Sequence, residues 1–261
     1  MNIDAMKQHR AVLLAVLAAA CYGVSAPLSK LLLVELSPAL MAALLYLGAG
    51  LGMGIINLLR GKRSKEAPIT KKEWPYVLGM IVLDILAPIA LMLGLQRTTP
   101  ANASLLNNFE IVATSLIALL LFKEAVGRRL WMAIALITLS CILLTVEDAG
   151  SFNFSAGSLL VLLAAVCWGL ENNCTRMLSL KDPLQVVVIK GFGSGTGALI
   201  IALMARETAG SLTYMALALL LGLFAYGLSI TLYIRAQREL GAARTSSYYA
   251  VEPFIGVGLS F

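Results

Sequence analysis

Charge is scarce in this chain. Of its 261 residues only 13% are Asp, Glu, Lys or Arg, 59% are hydrophobic, and the mean hydropathy is +0.87. Soluble domains hold about 45 to 50% apolar residues, so a water-soluble globule is excluded. Histidine is scarcer still. The single one, His9, stands in the N-terminal tail, which removes HExxH metal sites and Ser/His nucleophile pairs. The four cysteines (Cys21, Cys141, Cys167, Cys174) form no CxxC pair, and all fall inside apolar stretches. They read as small buried side chains, neither disulfides nor metal ligands. An ATP-binding motif is also missing. The glycine runs GAGLGMG (48–54) and GFGSGTG (191–197) lie inside apolar stretches and follow no strand, so they are not phosphate loops. No cofactor or metal is expected.

What is present is apolar sequence in blocks of about 20 residues, the length a helix needs to cross roughly 30 Å of hydrocarbon. The blocks predict an all-α polytopic membrane protein with nine spanning segments, near 11–33, 37–59, 74–96, 99–122, 129–146, 156–178, 183–205, 212–235 and 242–261. Lys7 and Arg10 before AVLLAVLAAAC imitate a signal peptide, but the apolar run continues to Leu33 and recurs later, so it is read as segment 1. With the N-terminus inside, 16 of the 20 basic residues fall on the inner side, among them Arg60, Lys62, Arg63, Lys65, Lys71, Lys72, Lys181, Arg235 and Arg238. Outer loops hold only Arg97 and Arg206, while Lys30 and Lys190 sit within segments. That asymmetry places the N-terminus in the cytoplasm and the chain in the cytoplasmic (inner) cell membrane. The net charge of +6 is then directed at anionic lipid headgroups of the bilayer, and no nucleic-acid partner is implied.

The chain also repeats itself. LLAVLAAACYGVSAPLSK (13–30) aligns with LLVLLAAVCWGLENNCTR (159–176), pairing Cys21 with Cys167 and Tyr22-Gly23 with Trp168-Gly169. Further on, Pro38 meets Pro183, then Gly48, Gly50 and Gly52 meet Gly193, Gly195 and Gly197, and Ser104 and Glu110 meet Ser246 and Glu252. Segment 1 thus pairs with segment 6. A unit of five helices is odd, so the two units, 1–148 and 149–261, cross the membrane in opposite senses, as in secondary transporters with a midplane site between repeats. Equal repeats predict a tenth helix, missing from 149–261, and a natural chain of roughly 290 residues.

Two tandem five-helix halves of this kind, the aromatic-Gly pair in segments 1 and 6, the stretch NASLLNNFEIVATSLIALLLFKE (102–124) and YYAVEPFIGVG (248–258) resemble the drug/metabolite transporter superfamily, EamA type. The resemblance spans essentially the whole chain and implies export of amino acids, drugs or other metabolites without narrowing that range. This sequence departs from the family at Ile111, where a Pro is common, which removes the proline that would kink segment 4; segment 9 keeps Glu252-Pro253.

Ten of the fourteen acids can be placed in loops or tails, leaving Asp84, Glu110, Glu171 and Glu252 inside segments. Each costs at least about 2.5 to 3.5 kcal/mol at the bilayer centre, so all four need partners, a proton or water. Lys190 is the one basic residue near the midplane and cannot neutralise them all. Counting about 1.5 Å per residue puts Glu110 and Glu252 near mid-membrane. Asn107 and Asn108 precede Glu110, and Asn172 follows Glu171; asparagines of this kind serve either a polar substrate or helix-to-helix hydrogen bonds. Trp168, Tyr22, Tyr248 and Tyr249 are candidates to stack on an organic substrate, or else packing residues, while Trp74 and Trp131 at segment ends read as interface anchors.

The substrate-binding or coupling candidates are therefore Glu110, Glu252, Asn107, Asn108, Asp84, Trp168, Glu171, Asn172, Lys190 and Tyr249. A carboxylate that must lose its proton to accept substrate offers a direct route to proton antiport, with Glu110 and Glu252 foremost. An intramembrane lipid- or peptide-modifying enzyme and a passive channel are the competing readings, and a homodimer is left open. The enzyme lacks a catalytic constellation: Asp84 has no partner Asp in another segment.

Overall fold

Every apolar block becomes helix, and four of the nine are interrupted near mid-length. The computed structural model describes residues 3–61, 66–123, 127–148, 153–207 and 210–259. Segment 1 is α1 (Ile3–Gly23) followed by α2 (Ser25–Leu32); segments 2 and 3 are α3 (Pro38–Arg60) and α4 (Trp74–Arg97). Segment 4 divides into α5 (Pro100–Asn107) and α6 (Phe109–Phe122), and segment 5 is α7 (Arg128–Thr145). A small antiparallel ribbon, β1 (Val146–Asp148) with β2 (Asn153–Phe154), leads into α8 (Ala156–Leu178) and α9 (Pro183–Met204). Segment 8 runs from α10 (Leu212–Leu221) through a π-helical stretch, Gly222–Leu228, into α11 (Ser229–Leu240); segment 9 is α12 (Ala242–Tyr249) and α13 (Glu252–Gly258). Lys62, Arg63 and Lys65 of the inner basic set lie outside the described residues.

Among the described residues seven helices are long and apolar enough to cross a membrane. The other two are α7, whose 18 residues reach roughly 27 Å, and the divided α12–α13. Helix starts are local in origin. Proline occupies the first turn of α3, α5 and α9, where its missing N–H costs nothing, behind Ser37, Thr99 and Asp182. The Thr99 and Asp182 side chains accept hydrogen bonds from the N–H groups of Asn102 and Leu184, capping two of these starts.

The interruptions follow proline only in part. Segment 1 breaks at Val24, three residues before Pro27, and segment 9 breaks at Ala250–Val251, just before Pro253. Segment 4, which has no proline at Ile111, breaks all the same at Asn108. The N–H of Asn108 turns to the Leu105 and Leu106 carbonyls in a tightened last turn. Pro88, by contrast, sits inside a continuous α4.

The glycine runs hold the centre together. A Cβ on Gly191 would lie 2.4 Å from the Gly50 nitrogen, and one on Gly195 would lie 2.8 Å from the Leu47 nitrogen, so α3 and α9 cross backbone to backbone. The intervening glycines face outward from this crossing. Gly48 and Gly52 receive Leu219 and Leu223 of segment 8, and their repeat partners Gly193 and Gly197 receive Ile81 and Ile85 of segment 3. Likewise Gly23 packs on Glu252 and Ile255, while its partner Gly169 packs on Ala113 and Thr114. Each contact in one half recurs with the residues of the other half exchanged, so the halves interdigitate. The resulting packing gathers segments 1, 2, 8 and 9 into one group and segments 3, 4, 6 and 7 into another, meeting along α3 and α9.

Candidate functional site

Where the two groups meet, three helices each bring one ionisable side chain out of solvent. Lys190 of α9 places its Nζ 3.2 Å from Asp84 Oδ2 of α4 and 2.9 Å from Glu171 Oε1 of α8. The side chains are 4%, 0% and 3% exposed, so water does little to screen them. Further donors complete the cluster: the Tyr46 hydroxyl donates to Asp84 Oδ1 at 2.7 Å, and the Thr175 hydroxyl donates to Glu171. Three of the residues singled out from sequence are thus one bridged unit joining α4, α8 and α9.

Glu110 stands apart from that unit. It enters in the first turn of α6, two residues past the segment 4 break, and its Oε1 accepts from Asn172 Nδ2 at 2.6 Å. The same amide reaches Thr114 Oγ1 at 3.2 Å, and the Asn172 carbonyl accepts from Gln237 Nε2 at 3.2 Å. Asn172 therefore ties segment 6 to segments 4 and 8. Among the described residues Glu110 makes no ion pair.

Glu110, Glu171, Asn172 and Lys190 share the wall of a narrow central cavity with Trp168 and Tyr249 and with residues from segments 1, 2 and 8. Its remaining wall is aromatic. Tyr22 meets Trp168 edge to face, with ring centroids 6.1 Å apart, so the aromatics of the two aligned aromatic-Gly pairs touch each other. Tyr22 also meets Tyr226 at 5.4 Å and Tyr249 at 6.0 Å; Tyr46 meets Tyr226 at 5.0 Å, and Tyr233 meets Tyr249 at 5.1 Å. The Tyr22 and Tyr226 hydroxyls lie near each other and near Ser25 Oγ, yet close no hydrogen bond of ordinary geometry.

Glu252 is buried, but it does not reach the wall of this cavity. It lines a small neighbouring cleft with Asn107, Asn108, Tyr249 and Glu110, and interacts with the Asn107 side chain. Glu110 and Tyr249 border both spaces, so the two repeat-related acids, each just after a helix break, are separated by the Glu110 side of the wall. Tyr248 is exposed and away from both. Of the remaining expectations, all four cysteines are free thiols, and Trp74 and Trp131 are exposed beside helix starts. Among the described residues no cluster of His, Cys, Asp and Glu suits a metal ion.

Polar bridges join the two groups at both ends. At one, Arg60 pairs with Asp182, and Arg238 donates to the Ser179 and Lys181 carbonyls at 2.8 and 2.9 Å and to Glu66 at 3.2 Å. At the other, Lys30 donates to the Leu95 and Thr98 carbonyls, a cation placed at the C-terminus of α4, and Glu207 accepts from the Ala39 and Leu40 N–H groups at the start of α3.

Tyr46, Tyr226, Tyr233, Thr175 and Ser229 belong to this site and were not singled out from sequence. For Tyr46 one signal existed: it lies four residues before Gly50, hence on the face that crosses α9. Tyr226 and Ser229 arrive through the π-helical stretch, whose register no apolar periodicity reveals.

A model of the EamA-like transporter family matches residues 9–146 and again 155–261. An uncharacterized transporter of Methanothermobacter thermautotrophicus is 28% identical, in an alignment covering 92% of this chain and 75% of that protein. The uncharacterized transporter YyaM of Bacillus subtilis is 21% identical over 92% of this chain and 81% of its own length. A crystal structure at 17% identity superposes with a TM-score of 0.74, covering 95% of this chain and 86% of the other, a likeness of fold.

Proposed function

We propose that this chain, which belongs to the EamA-like transporter family, is a secondary exporter of a small organic metabolite or drug, working by alternating access from the cytoplasmic membrane with its N-terminus in the cytoplasm. The observation that carries this reading is the central cavity, where buried carboxylates, a lysine and aromatic rings from both halves converge between the two groups of helices. Ionisable groups at that depth are costly in a purely structural role, and a substrate path is the usual reason for them.

The interdigitation bears on how access alternates. Because segments of one half pack on segments of the other, the moving bodies are the two mixed groups, 1, 2, 8 and 9 against 3, 4, 6 and 7. Rocking about the α3–α9 crossing opens one end while the bridges at the other hold. The Arg60–Asp182 and Arg238 bridges close the cytoplasmic end in this scheme, and Lys30 and Glu207 close the other. Proton antiport enters through Glu110 and Glu252, which release a proton as substrate binds and recover it on the return.

The test is transport by the purified protein in sealed proteoliposomes, with a panel of amino acids, amines and drugs, with and without an imposed pH gradient. Saturable, gradient-responsive movement of a panel member supports the reading. Ionic currents too large for a cycle of alternating access refute it in favour of a channel. Chemical turnover of lipid or peptide in detergent, where no gradient exists, refutes it in favour of an enzyme.

A further inference from the structure

We propose that the central cavity selects an organic ammonium ion, its cationic head held by Glu110 and the faces of the Tyr22, Tyr226 and Tyr249 rings. This rests on the transporter reading and goes beyond it by fixing the sign of the substrate's charge.

Charge balance around the cavity decides the sign. Lys190 is the one cation on its wall, and both of its contacts are spent on Asp84 and Glu171. A substrate carboxylate or phosphate binding there must displace one of those carboxylates and leave it buried without a partner, which is among the costliest arrangements a protein interior offers. Glu110 presents the opposite case: a carboxylate on the cavity wall, hydrogen-bonded to a neutral amide and matched by no ion pair among the described residues. With all groups ionised, three carboxylates face one ammonium, and an incoming cation reduces the imbalance.

The other polar atoms fit the same ligand. The buried Tyr22 and Tyr226 hydroxyls lie against each other and against Ser25 Oγ, and each keeps a lone pair that can accept from an N–H group. Phenolic rings on several sides offer the electron-rich faces that attract a desolvated ammonium, so one enclosure supplies charge, acceptors and cation–π contacts.

Three probes sharing one ring separate the alternatives: 2-phenylethylamine, phenylalanine and 3-phenylpropionate, which are cationic, zwitterionic and anionic near neutral pH. Binding to the purified protein is measured by isothermal titration and by the shift of the thermal unfolding midpoint, with benzyltrimethylammonium as a second cation. The expected result is binding of both cations, with phenylalanine and phenylpropionate weaker by at least about tenfold. Glu110→Gln should lose about tenfold or more of the cation affinity. If that variant does not fold, Tyr226→Phe and Tyr22→Phe should each weaken the amine and leave the anion unchanged. Equal or tighter binding of the anion or the zwitterion overturns the proposal, as does failure of both cations to bind at millimolar concentration. Cations that bind but never cross a proteoliposome membrane refute the transporter reading and leave the cation site standing. Transport of an anion or a zwitterion with the cations excluded does the reverse.

Discussion

Replacing Lys190 with Met should destabilise the protein by about 3–5 kcal/mol, because it removes the shared partner of two buried carboxylates while leaving both in place. The magnitude follows from what remains. Met fills most of the volume of the lysine stem, so the cavity contribution is small and the loss is electrostatic. With side chains 0% and 3% exposed, Asp84 and Glu171 cannot recover solvation in place. The simplest escape is to bind a proton, and taking one up at pH 7 from the ordinary carboxylate range costs about 4 kcal/mol per group. Hydrogen bonds from Tyr46 to Asp84 and from Thr175 to Glu171 soften this, which keeps the sum near the cost of one stranded charge. The assay is unfolding of purified protein in detergent micelles, followed by circular dichroism, where the midpoint should fall by on the order of 10 °C. The triple variant Asp84→Asn, Glu171→Gln, Lys190→Met removes all three charges together and should return to within about 2 kcal/mol of the wild type, since a fully removed buried network is often neutral. A wild-type midpoint for Lys190→Met alone would refute the reasoning, and so would a triple variant as unstable as the single one.

Three further predictions concern packing, orientation and coupling. Gly191→Val should yield little monodisperse protein on size exclusion, because its Cβ would sit 2.4 Å from the Gly50 nitrogen, whereas Gly54→Ala, whose Cβ meets Phe192 at 3.7 Å, should elute unchanged; normal behaviour of Gly191→Val would contradict the backbone crossing. Single cysteines placed in a cysteine-free background should react with an impermeant reagent on intact cells in the 147–155 loop and stay unlabelled in the 61–72 loop; the opposite pattern would reverse the orientation. Glu110→Gln and Glu252→Gln, singly or together, should abolish accumulation driven by a pH gradient while substrate exchange persists, provided each variant elutes as the wild type does. Undiminished gradient-driven accumulation in the double variant would eliminate both residues as proton carriers.

The parts of this fold that were legible in the sequence are those set by local chemistry. Segment 6, expected over 156–178, is Ala156–Leu178, and segment 7, expected over 183–205, is Pro183–Met204, because an apolar run opened by a capping residue, often with proline, marks its own start. The π-helical stretch was invisible for the opposite reason. Gly222 lies where a Cβ would stand 2.1 Å from the Leu45 carbonyl oxygen, so a contact with a residue far away in sequence accompanies the irregular register there. The break at Asn108 is similar: no proline announces it, and Asn107 beside it is engaged with Glu252 from the other half.

The same division runs through the site. Acids within apolar segments stand out by rarity alone, so Asp84, Glu110, Glu171 and Glu252 are visible as candidates in the sequence, and the repeat aligns Glu110 with Glu252. Composition does not encode who neutralises whom. Lys190 was visible as one cation against four acids, but only the packing of α9 beside α4 and α8 shows it committed to Asp84 and Glu171, with Glu110 left to Asn172. That allocation turns a count of midplane charges into a statement about the cavity. Had Lys190 faced Glu110 instead, the wall would be balanced and a zwitterion would fit as well as a cation. Gly193 and Gly197 receive Ile81 and Ile85 of α4, so glycines that look like packing in the sequence also set how near α9, and with it Lys190, comes to the helix that carries Asp84.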